Sequence, residues 1–148
     1  MSAAAFVRPL RLLLGGCMLA VLTLGLYMAG PWNGAAGLYD HLGLAAMLGW
    51  ALLPYALLGL LARRFSLAAD ARVYQGGALL LALGGLWAYA DAALGHPDAQ
   101  GGLVFVFAPL VQCTGLLVLL ALCLLLRLVA RARAGAAADQ APSRGGKR

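Results

Sequence analysis

Residues 97–127 have the sequence PDAQGGLVFVFAPLVQCTGLLVLLALCLLLR. The segment opens with a Pro-Asp turn, carries no charged residue over positions 99–126, and ends at Arg127. These 28 uncharged residues exceed the roughly 20 that a helix needs to cross a bilayer core of about 30 Å. The segment therefore predicts a transmembrane helix.

Three other apolar segments precede this one, and the composition of the whole chain agrees with a membrane protein. Of the 148 residues, 64% are hydrophobic and 11% are charged, whereas a soluble domain has about 25% charged residues. We predict an all-α bundle of four transmembrane helices within residues 10–133, with a short N-terminal segment (1–9) and a disordered basic tail (134–148). The predicted spans are 10–29, 42–62, 76–94 and 103–126.

The distribution of cations predicts the orientation of these spans. All eleven Lys and Arg residues lie in positions 8–11, 63–72 and 127–148, and the 30–41 and 91–102 loops have none. Since positively charged segments stay in the cytoplasm, we predict that both termini are cytoplasmic. Because the Arg, Ala and Gly bias is typical of a GC-rich bacterial genome, we predict a multi-pass protein of the bacterial inner membrane. The outer aromatic belt would consist of Trp32, Tyr39, Trp87 and Tyr89.

One cluster of polar and helix-disturbing residues lies at membrane depth, in the last span. Pro109 cannot donate to the carbonyl of Phe105, and an unpaired carbonyl in lipid is costly. Because helix side chains lean toward the N-terminus, Gln112 is expected to lean toward that gap. Either Gln112, Cys113 and Thr114 bond to the freed carbonyl or to neighbouring helices, or they line a solute path.

Small residues indicate where helices approach one another. Gly77, Gly84 and Ala88 recur on one face of the third span, a pattern that lets a neighbouring backbone come close. We predict a helix–helix contact at this face.

We expect no bound cofactor and no metal. The weak metal-ligand candidates are His41, His96 and Asp98, because imidazole and carboxylate suit Zn²⁺. His41 lies in one loop and His96 and Asp98 in the other, without a helical ligand spacing, and Asp98 suits a helix N-cap. The arginines flank apolar runs and are not interleaved with aromatics, so we expect lipid contact and no nucleic-acid binding.

The fifteen residues 98–112, DAQGGLVFVFAPLVQ, carry one family resemblance. The string resembles the last hairpin of uncharacterised bacterial four-helix inner-membrane proteins with the pattern DAQ-x-x-L-x-F-x-F-x-P-x-x-Q. The resemblance implies a four-helix architecture and implies no activity.

No pocket with a paired acid and base can be read from the sequence, and we expect no catalytic residue. The pattern favours a non-enzymatic accessory component that binds another membrane protein, or a homo-oligomer that binds itself. The alternative is a small transporter or channel with its path near Pro109 and Gln112.

Overall fold

The computed structural model describes residues 3–30, 38–65, 68–95 and 101–139. These residues form four α-helices, and a five-residue π-helix, Asp91–Gly95, continues the third. All four are long and apolar enough to cross a bilayer, so the predicted all-α four-helix fold of a membrane protein is confirmed. The helices are α1 (Ala3–Ala29), α2 (Leu38–Leu61), α3 (Ala68–Ala90) and α4 (Gly101–Asp139).

The helix ends differ from the predicted boundaries at both termini of the chain. α1 begins at Ala3, inside the predicted N-terminal segment, and α4 continues to Asp139. Residues 134–139 of the tail that was predicted as disordered are therefore helical, because alanine, the strongest helix former, recurs through this part of the chain. The rest of the predicted tail, 140–148, lies outside the described residues.

The helices are arranged around a square. α1 packs against α2 and α3, and α4 packs against the same two helices. Consequently α1 and α4 lie on one diagonal, and α2 and α3 lie on the other.

Hydrogen bonds from tyrosines span the α2–α3 diagonal. The hydroxyl of Tyr74 donates to the carbonyl of Leu58 over 2.7 Å, and that of Tyr55 donates to the carbonyl of Ala82 over 3.3 Å. Both rings are fully buried. The backbones of α2 and α3 are not close neighbours, but a tyrosine side chain is long enough to bridge the distance. These two hydrogen bonds therefore connect α2 and α3 across the interior.

Two reciprocal glycine–leucine contacts join α3 and α4. A methyl group on Gly77 would lie 2.5 Å from a terminal carbon of Leu119, and one on Gly115 would lie 2.5 Å from a terminal carbon of Leu81. Each glycine thus accepts a leucine of the partner helix, which is how small residues let transmembrane helices approach one another.

Near the α2–α3 connection, a cluster of aromatic and basic side chains closes one end of the bundle. Phe65 stacks on Tyr74 with 4.7 Å between ring centroids, and the guanidinium of Arg127 lies 4.7 Å above the Phe65 ring. Arg127 also donates a hydrogen bond to the backbone carbonyl of Arg64 over 3.1 Å. We call Phe65, Tyr74 and Arg127 the Arg127 cluster.

Candidate functional site

Gln112 projects from α4 into the interior of the bundle, where only 4% of its surface is exposed. Its Nε2 donates a hydrogen bond to the carbonyl of Leu81 on α3 over 3.0 Å. Its Oε1 is buried and accepts no hydrogen bond within the described part of the chain. The amide is therefore only half satisfied, in a region where polar groups are normally paired.

The direction of the Gln112 side chain differs from the expectation that it leans toward the carbonyl of Phe105. Seven residues separate the two positions, which is about 10 Å along a helix and beyond the reach of a glutamine. Gln112 instead bonds to a neighbouring helix, which was one of the two packing arrangements considered from the sequence.

The segment of α4 around Pro109 receives a hydrogen bond from α2. Pro109 lies inside α4 and is fully buried. The indole Nε1 of Trp50 donates to the carbonyl of Val106 over 3.2 Å, next to the carbonyl that Pro109 leaves without its helical donor. Trp50 thus supplies a donor from α2 at this level of the helix.

Gly85 of α3 is the position that makes room for the glutamine. A methyl group there would collide with the Gln112 amide and would lie 2.8 Å from the hydroxyl of Tyr55. Gln112, Gly85 and Tyr55 therefore meet at one point where α4, α3 and α2 converge, and we call these three residues the Gln112 site. An amide and a phenol offer hydrogen bonds but no formal charge.

Tyr89 lies one helical turn beyond Gly85 on the same face of α3. Its ring is fully buried, with its centroid 4.9 Å from that of Phe105, and its hydroxyl has no hydrogen-bond partner among the described residues. The prediction that Tyr89 belongs to an outer aromatic belt is therefore wrong. Trp87, two residues earlier, is exposed, because residues two apart on a helix face different directions.

The other two polar residues of the predicted cluster lie away from the Gln112 site. Thr114 is exposed, and its hydroxyl donates to the carbonyl of Leu110 in its own helix over 2.9 Å. Cys113 is half-buried. Pro109 and Gln112 are thus buried inside the bundle, whereas Thr114, predicted in the same cluster, is on its surface.

A groove of about 340 Å³ runs between α3 and α4 on the outer surface of the bundle, with Gln112 in its lining. Gly84 lies in this groove and is exposed, and a methyl group there would touch nothing within 4 Å. Of the three small residues predicted at a helix contact, Gly77 meets Leu119 of α4, while Gly84 and Ala88 line the groove. We call it the α3–α4 groove; its lining includes Leu80, Gly84, Ala88, Phe107, Ala108 and Val111.

Of the metal-ligand candidates, only His41 lies within the described residues. His41 is exposed on α2, while His96 and Asp98 lie outside the described residues. Within residues 3–30, 38–65, 68–95 and 101–139, no group of three His, Cys, Asp or Glu side chains converges.

Comparison of the chain with protein-family models, with curated proteins and with solved structures finds no significant match in any of the three. The resemblance of residues 98–112 to four-helix inner-membrane proteins accordingly stays a prediction. The function has to be inferred from the geometry described above.

Tyr55, Gly85 and Tyr89 are the interior residues that the sequence reading did not single out as a site. Two of the three had a detectable signal in the sequence. Tyr55 follows Pro54 inside a span, where a phenol hydroxyl needs a hydrogen-bond partner. Gly85 is the second of two adjacent glycines, and adjacent positions on a helix face different directions. Which glycine meets another helix depends on the rotation of α3 about its axis, and that rotation is a property of the packed bundle.

Proposed function

We propose that the protein is a non-enzymatic, multi-pass membrane component that pairs with a second copy of itself through the α3–α4 groove. The observation that carries the proposal is the shape of this groove. Its lining includes the small residues Gly84, Ala88 and Ala108, while large apolar side chains beside them are exposed. A groove of this kind admits a helix at short distance, which favours association in a bilayer.

The groove and its rim suit a two-fold symmetric pair. Leu80 is 78% exposed, Phe107 58% and Val111 69%, so these side chains project next to the small residues. Under two-fold symmetry the same patch serves both copies, and rim side chains of one copy can enter the groove of the other. Exposed apolar side chains alone do not favour association in a bilayer, since lipid tails are as apolar as leucine. The fit between the rim side chains of one copy and the groove of the other does favour it.

The membrane and orientation belong to the same proposal. The cation-bearing segments would lie in the cytoplasm with both termini, and the bacterial inner membrane would be the location. A reporter fused after Arg133 should then read as cytoplasmic, and a tag inserted at Gly95 should be accessible from outside. External labelling of the C-terminus would contradict this orientation.

The decisive experiment compares Gly84→Leu with Gly49→Leu. Both glycines are exposed, and a methyl group at either would touch nothing within 4 Å, but Gly49 lies on α2, away from the groove. Photobleaching of singly labelled protein, diluted into vesicles, counts the copies in each complex. We expect dimers for the wild type and for Gly49→Leu, and mainly monomers for Gly84→Leu.

Two results would redirect the proposal. A wild type that stays monomeric at every protein-to-lipid ratio would contradict self-association. A different membrane protein that co-purifies with the wild type and with Gly49→Leu, and is lost with Gly84→Leu, would identify the groove as the surface of an accessory subunit.

A small carrier or channel is the second candidate, because the Oε1 of Gln112 and the hydroxyl of Tyr89 are buried without partners in the described residues. Such groups could bind an uncharged solute that offers a hydrogen-bond donor and an acceptor. Solute flux into vesicles that hold the purified protein tests this function. Gln112→Leu should abolish the flux, whereas Thr114→Val, on the outer surface of the same helix, should not.

A further inference from the structure

A second groove, of about 390 Å³, separates α1 from α2 at the end of the bundle that carries the Arg127 cluster. Two arginines line it, Arg11 of α1 and Arg63, which follows α2. The rest of its lining is mostly apolar. We call it the α1–α2 groove; the lining used below is Arg11, Gly15, Tyr55, Ala56, Gly59 and Arg63.

The antiparallel register of the two helices orders this lining by depth. Gly59 faces Leu14, since a methyl group on Gly59 would lie 3.8 Å from a terminal carbon of that leucine. Arg11 and Arg63 are therefore at one level, and Met18 and Tyr55 are at the opposite end of the groove. Eight residues from Arg63 to Tyr55 correspond to about 12 Å along a helix, most of the roughly 15 Å that one leaflet of a bilayer core provides.

Among the described side chains, no carboxylate lies at the level of Arg11 and Arg63. Asp91 is the acidic residue whose side chain is described, and it lies at the far end of α3. Arg11 is half-buried and Arg63 is exposed. The guanidinium of arginine matches a phosphate with two parallel hydrogen bonds, so a pair of arginines at the membrane surface favours a phosphate.

We propose that the α1–α2 groove binds one anionic phospholipid, with its phosphate between Arg11 and Arg63 and an acyl chain along Gly15, Ala56 and Gly59. The positive charge of the two arginines favours an anionic head group, and the apolar lining below them favours an acyl chain. Basic pockets between transmembrane helices bind anionic lipid head groups in this manner. This inference is independent of the proposed self-association, which uses the opposite pair of helices.

Native mass spectrometry of the full chain tests the proposal after release from vesicles of phosphatidylcholine that contain a minority of phosphatidylglycerol. The wild type should retain one phosphatidylglycerol. The double variant Arg11→Gln/Arg63→Gln should retain roughly 25-fold less, because each arginine near the surface contributes about a factor of five in affinity. Arg131→Gln/Arg133→Gln, which removes the same charge from exposed positions on α4, should retain the wild-type amount.

A second pair of variants tests the acyl chain without changing any charge. Gly15 lines the groove, Gly16 does not, and a methyl group at either would touch nothing within 4 Å. Gly15→Leu should lower lipid retention several-fold, and Gly16→Leu should leave it unchanged. Inorganic phosphate added to the wild type should not displace the lipid, because it lacks the apolar part.

The opposite results would overturn the proposal. Equal loss of lipid in the two double arginine variants would mean that net charge alone attracts the head groups. Full retention by Gly15→Leu, together with displacement by inorganic phosphate, would mean that the arginines bind a phosphate and that the groove holds no acyl chain.

Discussion

The Arg127 cluster and the Gln112 site belong to the same bundle, but among the described residues the buried side-chain polar atoms without a partner lie at or next to the second. In the Arg127 cluster the hydroxyl of Tyr74 has a carbonyl partner at 2.7 Å, and Arg127 bonds to the Arg64 carbonyl and covers the Phe65 ring. At and next to the Gln112 site, the Oε1 of Gln112 and the hydroxyl of Tyr89 are buried without partners among the described residues.

This difference separates a structural region from a candidate functional one. A buried polar atom without a partner costs about 1–3 kcal/mol, so stability alone favours removing it. The Arg127 cluster contains no such atom and closes the end of the bundle. Two such atoms, the Oε1 of Gln112 and the hydroxyl of Tyr89, lie in or beside the Gln112 site. A bound group that paired with them would recover this cost, so this part of the interior is the candidate functional region.

The largest effect is expected at Gly85, because a side chain there would collide with the Gln112 amide. Overpacking a well-packed core costs about 1–3 kcal/mol, and we expect Gly85→Leu to reach at least the upper end. The free energy of unfolding, measured by steric trapping in bicelles, checks this value. Gly84→Leu, compared at a dilution where the wild type is monomeric, is the control, since Gly84 is exposed and its neighbourhood is open.

A cycle with Gln112 identifies the cause of that loss. Gly85→Ala should cost less in the Gln112→Ala background, because the colliding amide is gone and residues in contact do not behave additively. Equal destabilisation by Gly84→Leu and Gly85→Leu would show that the rotation of α3 differs from the one described.

The second effect concerns the Arg127 cluster. Arg127→Ala removes a hydrogen bond to a backbone carbonyl and a cation–π contact, which together should lower the free energy of unfolding by about 1–2 kcal/mol. Arg131→Ala, an exposed position one turn later, should change it by less than about 0.5 kcal/mol. Equal effects would mean that the arginine acts only through the net charge of α4.

The sequence predicted the number and nature of the helices because these depend on long apolar runs, which lipid requires over a known thickness. It did not predict which way the interior side chains point. Gln112 bonds to Leu81, and Tyr89 is buried, because of how α3 is rotated against α4. That rotation depends on contacts such as Leu119 over Gly77, which join residues more than forty positions apart.

The third effect tests the hydrogen bond that joins the Gln112 amide to α3. Gln112→Leu removes the bond to the Leu81 carbonyl and should cost about 1 kcal/mol, within the range for polar contacts between transmembrane helices. The simultaneous removal of the unpaired Oε1 offsets part of this cost. Thr114→Val removes a bond within one exposed helix turn and should be nearly neutral in the same unfolding measurement. A larger loss for Thr114→Val would contradict the inward role of Gln112.

The smallest effect is expected for the removal of one hydroxyl from either of two tyrosines on α3. We expect opposite signs for Tyr74, in the Arg127 cluster, and Tyr89, beside the Gln112 site. Tyr74→Phe removes a hydroxyl that donates over 2.7 Å to the Leu58 carbonyl, so the free energy of unfolding should fall by about 1 kcal/mol. Tyr89→Phe removes a buried hydroxyl without a partner in the described residues. The ring and its contact with Phe105 remain, so the free energy of unfolding should stay level or rise by up to about 1 kcal/mol.

The sign of the change in the free energy of unfolding for Tyr89→Phe decides whether the Tyr89 hydroxyl contributes to stability. A rise, together with a fall for Tyr74→Phe, is expected if the Tyr89 hydroxyl is kept for a bound group. A fall for Tyr89→Phe as large as that for Tyr74→Phe would mean that the hydroxyl is paired in the membrane. The two halves of the interior would then be equally satisfied, and the transport candidate would lose one of the two unpaired groups on which it rests.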